Sequence, residues 1–402
     1  MKSKIVITGL CLLALPLAAW ATFTLMAERQ PQKFNVAPAS AVRTEAAKET
    51  DTTGKVVAAA KAFLATLDDA GRAKASFAFN SDQKSKWSNF PVGIYPRNGV
   101  RWGDLNAAQR DAEMKLLTAA LSKQGLQKVK EIMDGDEVLK TSEGGRGGGL
   151  GGGPPGGGPP PGGGPPGGRR PGDGPPGGRG GGMGSPNFGR DEYYLAFCGA
   201  PSLTEPWMIQ FGGHHLAINM TIVGKSNVMT PSLPAAQPAT YKLNGETVRP
   251  LGRENDKGFA FINALDAAQQ KQAILPYQVS DLVLGAGEDG KTIQPEGIKV
   301  SALNAAQKEK LFDVIYEWVG ILNDDAAAAK MTEIKANLSE TWFAWSGPTT
   351  NGSGAYYRIQ GPTLLIEYSP QRARGSGGLD TTHIHTIYRD PTNDYGARLV
   401  KK

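Results

Sequence analysis

Four histidines occur in the 402 residues, all within two short motifs. Phe211-Gly212-Gly213-His214-His215-Leu216-Ala217-Ile218-Asn219 holds an adjacent pair, and Thr382-His383-Ile384-His385-Thr386-Ile387-Tyr388-Arg389-Asp390 holds an H-x-H. Side chains alternate faces along a strand, so His383 and His385 point the same way with Cα atoms about 6.6 Å apart, and two imidazoles so placed converge on one ion. In the other motif Leu216, Ile218, Met220 and Ile222 form an apolar face, which places His215, Asn219 and Thr221 on the opposite one. His215 is then the expected third ligand. His214 falls on the apolar side unless a bulge at Gly212-Gly213 turns it round. Three histidines with an open position suit a catalytic divalent metal, zinc before copper or non-haem iron, with His214, His215, His383 and His385 as the candidate ligands. The same residues also fit a metal-free polar site, or histidines that only hydrogen-bond in the core.

Carboxylates near these motifs are candidates for a fourth ligand or a general base. Glu367 closes the apolar run Leu364-Leu365-Ile366, where burial raises a carboxyl pKa unless a metal or an arginine pairs with it. Arg358 and Arg389 are its available partners, so a salt bridge competes with catalysis as the explanation. Arg389 is also a candidate for orienting an anionic substrate. Glu205, Asp380, Asp390 and Asp394 stand beside prolines and turn residues and suit capping roles. Trp342, Phe343, Trp345, Tyr356 and Tyr357 serve equally as pocket lining or as core. No G-x-S-x-G elbow or Walker loop is present, and no G-x-G-x-x-G stands between a strand and a helix. Cys198 lies in an apolar run with no CxxC partner, so thiolate metal clusters are excluded and a small buried hydrophobe is expected.

The elements that must position these residues are readable in outline. Leu67-Asp68-Asp69-Ala70, Leu105-Asn106-Ala107-Ala108-Gln109, Leu265-Asp266-Ala267-Ala268-Gln269 and Leu303-Asn304-Ala305-Ala306-Gln307 each announce a helix start. In the last three, Gln can reach back to the cap. Strands are predicted over 193–197, 216–223, 356–360, 363–368 and 383–389. Helices in one block and strands mostly adjacent give an α+β fold, a helical N-terminal part packed on an antiparallel or mixed sheet. Between the two parts, residues 143–190 are nearly all Gly and Pro without the collagen period, which predicts a disordered insertion. The expected division is a signal peptide over 1–21, a tether over 22–53, the helical part over 54–142, the insertion, and a strand-rich part over 191–402.

Lys2 and Lys4 precede an apolar run and Ala19-Trp20-Ala21, the pattern of a secretory signal peptide, also long enough to stay as a membrane anchor. A periplasmic or secreted location follows. The net charge of +6 is modest, and export argues against a nucleic-acid partner for the arginines among the glycines.

The runs FGGHHLAINMTIVG, AWSGPTTNGSGAYYRIQGPTLLIEYSP and HIHTIYRDPTNDYG resemble the family of the domain of unknown function 3500, found among exported proteins. The likeness spans residue 62 to the end, includes Trp87 and Arg97-Asn98-Gly99, and matches at His214, His215, His383, His385, Arg389, Asp390 and Asp394. It implies the neighbourhood of the site and no reaction. The expected function is an extracytoplasmic metal-dependent enzyme of the hydrolase type acting on a small-molecule or cell-envelope substrate. The alternative is a non-catalytic periplasmic or surface protein that binds a metal or small ligand.

Overall fold

Reciprocal capping starts the helices where the sequence places them. In a computed structural model describing residues 45–144, 186–372 and 378–400, the Asn106–Gln109, Asp266–Gln269 and Asn304–Gln307 pairs each close a complete capping box. They open α3 (Ala107–Ala120), α6 (Ala267–Ala273) and α7 (Ala305–Val319), while Asp68 accepts from Gly71 to open α2 (Asp69–Ala75). The remaining helices are α1 (Thr52–Ala65), α4 (Lys123–Gly144), α5 (Gly252–Ile262) and α8 (Asp324–Ala336). None of the helices among the described residues is long and apolar enough to cross a membrane. The signal segment, most of the tether and residues 145–185 of the insertion lie outside the described residues.

The architecture is α+β, with one mixed and two antiparallel sheets. The first sheet is built on β3 (Tyr194–Cys198), β4 (Trp207–Gly213) and β5 (Leu216–Val223), flanked by the short β1 (Ser76–Phe77), β2 (Val100–Arg101), β6 (Ser226–Val228) and β7 (Leu233–Pro234). Only β1 on β3 runs parallel. Two further strands, β8 (Tyr241–Leu243) and β9 (Glu246–Val248), form a separate hairpin. The second large sheet runs in the order β10 (Ile298–Lys299), β11 (Trp342–Ser346), β12 (Tyr356–Gly361), β13 (Leu364–Arg372) and β14 (Leu379–Arg389). Strand β4 is an addition to the sequence expectation. Both faces of β4 are buried, so the period-2 signal that marks half-exposed strands is weak there.

The aromatic run belongs to the core. Tyr357 stacks between Trp345 and Tyr368 at centroid distances of 5.9 and 5.0 Å, and Phe343, Trp345 and Tyr357 are all fully buried. Cys198 is a buried hydrophobe as expected, its thiol pushed up to about 11 by burial.

One short segment ties the two large sheets together beside the histidines. β7 pairs with the start of β5 through Leu216↔Pro234 and Ala217↔Leu233. On its other edge Ser232 and Ala236 bridge to Tyr388 and Ile384 of β14. The C-terminal strand is thereby laid alongside the tip of the β4–β5 hairpin.

Candidate metal centre

The histidine pair is the hairpin's two-residue turn. Register between β4 and β5 runs without a shift from Trp207↔Ile222 to Gly213↔Leu216, so the sequence expectation of a strand residue with an optional glycine bulge is replaced by a tight turn. His215 takes a left-handed φ of 61°, a conformation costly for a residue with a Cβ and characteristic of functional sites. Neighbours hold it there. His215 N–H donates to the Asn89 carbonyl at 3.1 Å, its own carbonyl accepts from Ala235 N–H at 2.8 Å, and the Tyr193 hydroxyl donates to the His214 carbonyl at 2.8 Å. Glycine is required just before the turn, because a Cβ at Gly213 would stand 2.8 Å from the Tyr193 ring.

A bulge does occur, on the other motif. Ser369 pairs with His385 and Pro370 with Ile384, but Gln371 pairs with Asp380, so Thr381, Thr382 and His383 are extra residues on β14. Such irregularities re-aim side chains. Here His383 Nε2 comes to 3.0 Å from His385 Nε2 and 2.9 Å from His215 Nε2. Ligand atoms of His215, His383 and His385 all lie within 4.8 Å of one another. His215 and His385 are buried and His383 is partly exposed.

Proton bookkeeping shows what this cluster lacks. His385 Nδ1 faces the Asp281 carboxylate across a long 3.4 Å contact, which favours the tautomer with the hydrogen on Nδ1, because an ionised carboxylate only accepts. In that tautomer Nε2 carries the lone pair. His383 Nε2 then touches two neighbouring nitrogens with at most one hydrogen to share, so one close N···N contact has no linear hydrogen bond. Extra protons are disfavoured. Burial, and then the neighbouring His385, pushes the His383 imidazole down to about 3. Burial, reinforced by His214, holds His215 well below the usual histidine range. Neutral imidazoles with converging lone pairs are what a cation requires. Four nitrogen ligands at roughly 2.05 Å in a tetrahedron are about 3.3 Å apart, close to the 2.9 and 3.0 Å that separate His383 Nε2 from its two neighbours.

His214 is placed differently. Its ring stacks on His215 at 3.6 Å between centroids, and Nδ1 lies 2.6 Å from Asp136 Oδ1 on α4. Burial lowers its pKa, opposed by the Asp136 carboxylate. The Phe188 ring packs on it at 4.9 Å and Gly189 N–H donates to Asp136, so residues 186–190, within the range read as insertion, are part of this packing. Asn219 accepts from Gln210 Nε2 and donates to the Pro231 carbonyl.

Glu367 and Arg389 hold the loop that carries Asp281. The Glu367 carboxylate accepts from Val283 N–H, Leu284 N–H and the Tyr356 hydroxyl at 2.7–2.8 Å, and burial raises its pKa against those bonds. None of its hydrogen bonds among the described residues is to a histidine. Arg389 donates to the Leu284 and Gly285 carbonyls and to Asp289 and Asp394. Asp394 is pushed up to about 6 by burial, although Arg389 opposes the shift. Asp380 bonds Thr382 and Asp390 bonds Thr392 in local turns.

Sequence reasoning did not single out Asn89, Asp136 or Asp281, all common residue types in segments without a motif. Arg97 was marked only within its neighbourhood. Its Nη2 donates to the carbonyls of Ser88, Phe90 and Gly213, clamping the segment around Asn89 to the histidine hairpin. Asn89 Nδ2 lies 3.3 Å from His385 Nε2.

No curated protein and no solved structure matches the chain. A family model does match, over residues 49–397, and that range contains every residue of the cluster. The chain belongs to the family described as "Protein of unknown function (DUF3500)".

Proposed function

We propose that this is an extracytoplasmic metal-dependent enzyme of the hydrolase type, with a divalent cation, zinc in preference to copper or iron, held by His215, His383 and His385. The observation that carries the reading is the meeting of three Nε2 atoms with too few protons to satisfy them. Asp281 on Nδ1 of His385 is the carboxylate that commonly orients a metal-bound histidine. Three imidazole ligands leave a fourth position for water, whose pKa falls to near neutrality on such a cation, and this supports hydrolysis as the chemistry. The export half of the reading rests on the basic and apolar N-terminal segment.

Burial of His215 and His385 also favours a second reading, a protein that sequesters the cation without turnover. Elemental analysis of purified protein, with zinc titrated calorimetrically into stripped wild type, tests the shared part. One equivalent bound far tighter than millimolar is expected. Wild type without stoichiometric binding sinks both readings. Zinc-dependent cleavage across a panel of model esters, phosphoesters and peptides separates enzyme from reservoir.

A further inference from the structure

Asn89 is 9 % exposed and its Nδ2 lies 3.3 Å from His385 Nε2. Nδ2 is the amide atom that faces Nε2, and Asp281 lies against the opposite nitrogen, Nδ1, so the amide group facing Nε2 is the NH2 donor. A cation bound by the three histidines takes the Nε2 lone pair. The amide hydrogen then loses its acceptor, and a buried donor left without one is costlier than the bond it lost. An amide nitrogen has no lone pair to offer the cation, so the acceptor must arrive with it. The group that arrives is the ligand at the fourth position.

The backbone that carries the Asn89 amide is held in place. Its carbonyl holds the His215 turn, and Arg97 bonds the carbonyls on both sides of it as well as that of Gly213. Donors fixed before a charge arrives stabilise it without reorganising. We propose that the Asn89 amide is the donor that binds an anionic or oxygen ligand at the open position of the centre. The proposal rests on the metal reading above. It assigns the site's exchangeable ligand to one chemical class, a hydrogen-bond-accepting oxyanion or small anion.

Cobalt(II) loaded into the stripped protein reports the coordination sphere by its visible absorption, and azide serves as the probe anion. Wild type is expected to bind one cobalt and then azide. Asn89→Ala should weaken azide about tenfold or more while cobalt affinity stays within about threefold, the pattern of a group acting beside the metal. Asn89→Asp keeps the shape without the donor, and should lose azide likewise even if the alanine variant folds poorly. Azide affinity unchanged in both variants overturns the proposal, as does a wild type that holds cobalt but no azide. Loss of cobalt from Asn89→Ala as complete as from His385→Ala also overturns it, by making the amide oxygen a ligand. A wild type that binds no cobalt removes the metal centre itself, a failure distinct from the other three.

Discussion

At the residue scale, the four histidines divide three to one. His215, His383 and His385 offer nitrogens to a common point, while His214 is held by Asp136 and supports His215 through its ring face. Replacing any of the three by Ala should cost several kcal/mol of zinc affinity, whereas His214→Ala should cost about 10- to 100-fold, as a supporting group does. Calorimetry on the four variants checks the ordering, and equal losses at all four positions would contradict it. A second residue gives a pH prediction independent of metal. Glu113 on α3 is fully buried, neither carboxylate oxygen has a hydrogen-bond partner among the described residues, and burial raises its pKa to about 8. The folded state therefore holds a proton that the unfolded chain releases above its ordinary carboxyl pKa. Its contribution to stability is present at low pH and falls by about 1.4 kcal/mol per pH unit up to the folded pKa. Urea unfolding at pH 5, 7 and 9 should show Glu113→Gln gaining on wild type as pH rises. A constant difference would refute the assignment.

At the element scale, the site depends on loops fastened by hydrogen-bonding side chains of the second large sheet. Glu367 on β13 receives two backbone N–H groups of the loop that brings Asp281 to His385, and Arg389 on β14 grips two carbonyls of that loop. Glu367→Ala should therefore cost about 2–4 kcal/mol of stability through the donors it leaves unpaired. Zinc affinity should drop by a smaller factor than in the histidine variants, because only the orientation of His385 is loosened. Denaturant titration with and without zinc measures both. Unchanged stability would mean the loop is held by something else. The bulge at Thr381–His383 belongs to this scale too: the H-x-H spacing alone puts two imidazoles on one face, and the bulge brings one of them onto the other and onto His215.

At the scale of the whole molecule, the histidine cluster joins parts of the chain far apart in sequence. His215 comes from a turn in the first large sheet, His383 and His385 from the last strand of the second, and Asn89 and Asp136 from the helical N-terminal part. A ligand that binds only the folded arrangement stabilises it by about 4 kcal/mol at a thousand times its Kd. Saturating zinc should thus raise the midpoint of thermal unfolding by several degrees, and a chelator should return it to the apo value. The same midpoint with and without zinc would mean that the three histidines do not meet around a cation.

The sequence by itself determined the residue types and the local elements. Two isolated motifs named all the imidazoles, and short caps such as Asn304 with Gln307 placed the helix starts, because capping is a local interaction. It also carried the family. Tertiary structure decided the rest. A single segment, Ser232–Ala236, pairing with β5 on one edge and β14 on the other, brings the two motifs into contact. Nothing in the spacing of residues 168 apart encodes that meeting. Asn89, Asp136 and Asp281 became site residues only through packing, since an Asn or Asp in a segment without periodicity looks the same whether it caps a turn or faces a histidine. The turn at His214-His215 was likewise hidden, because β4, buried on both faces, shows no alternation from which to read that a strand ends at Gly213.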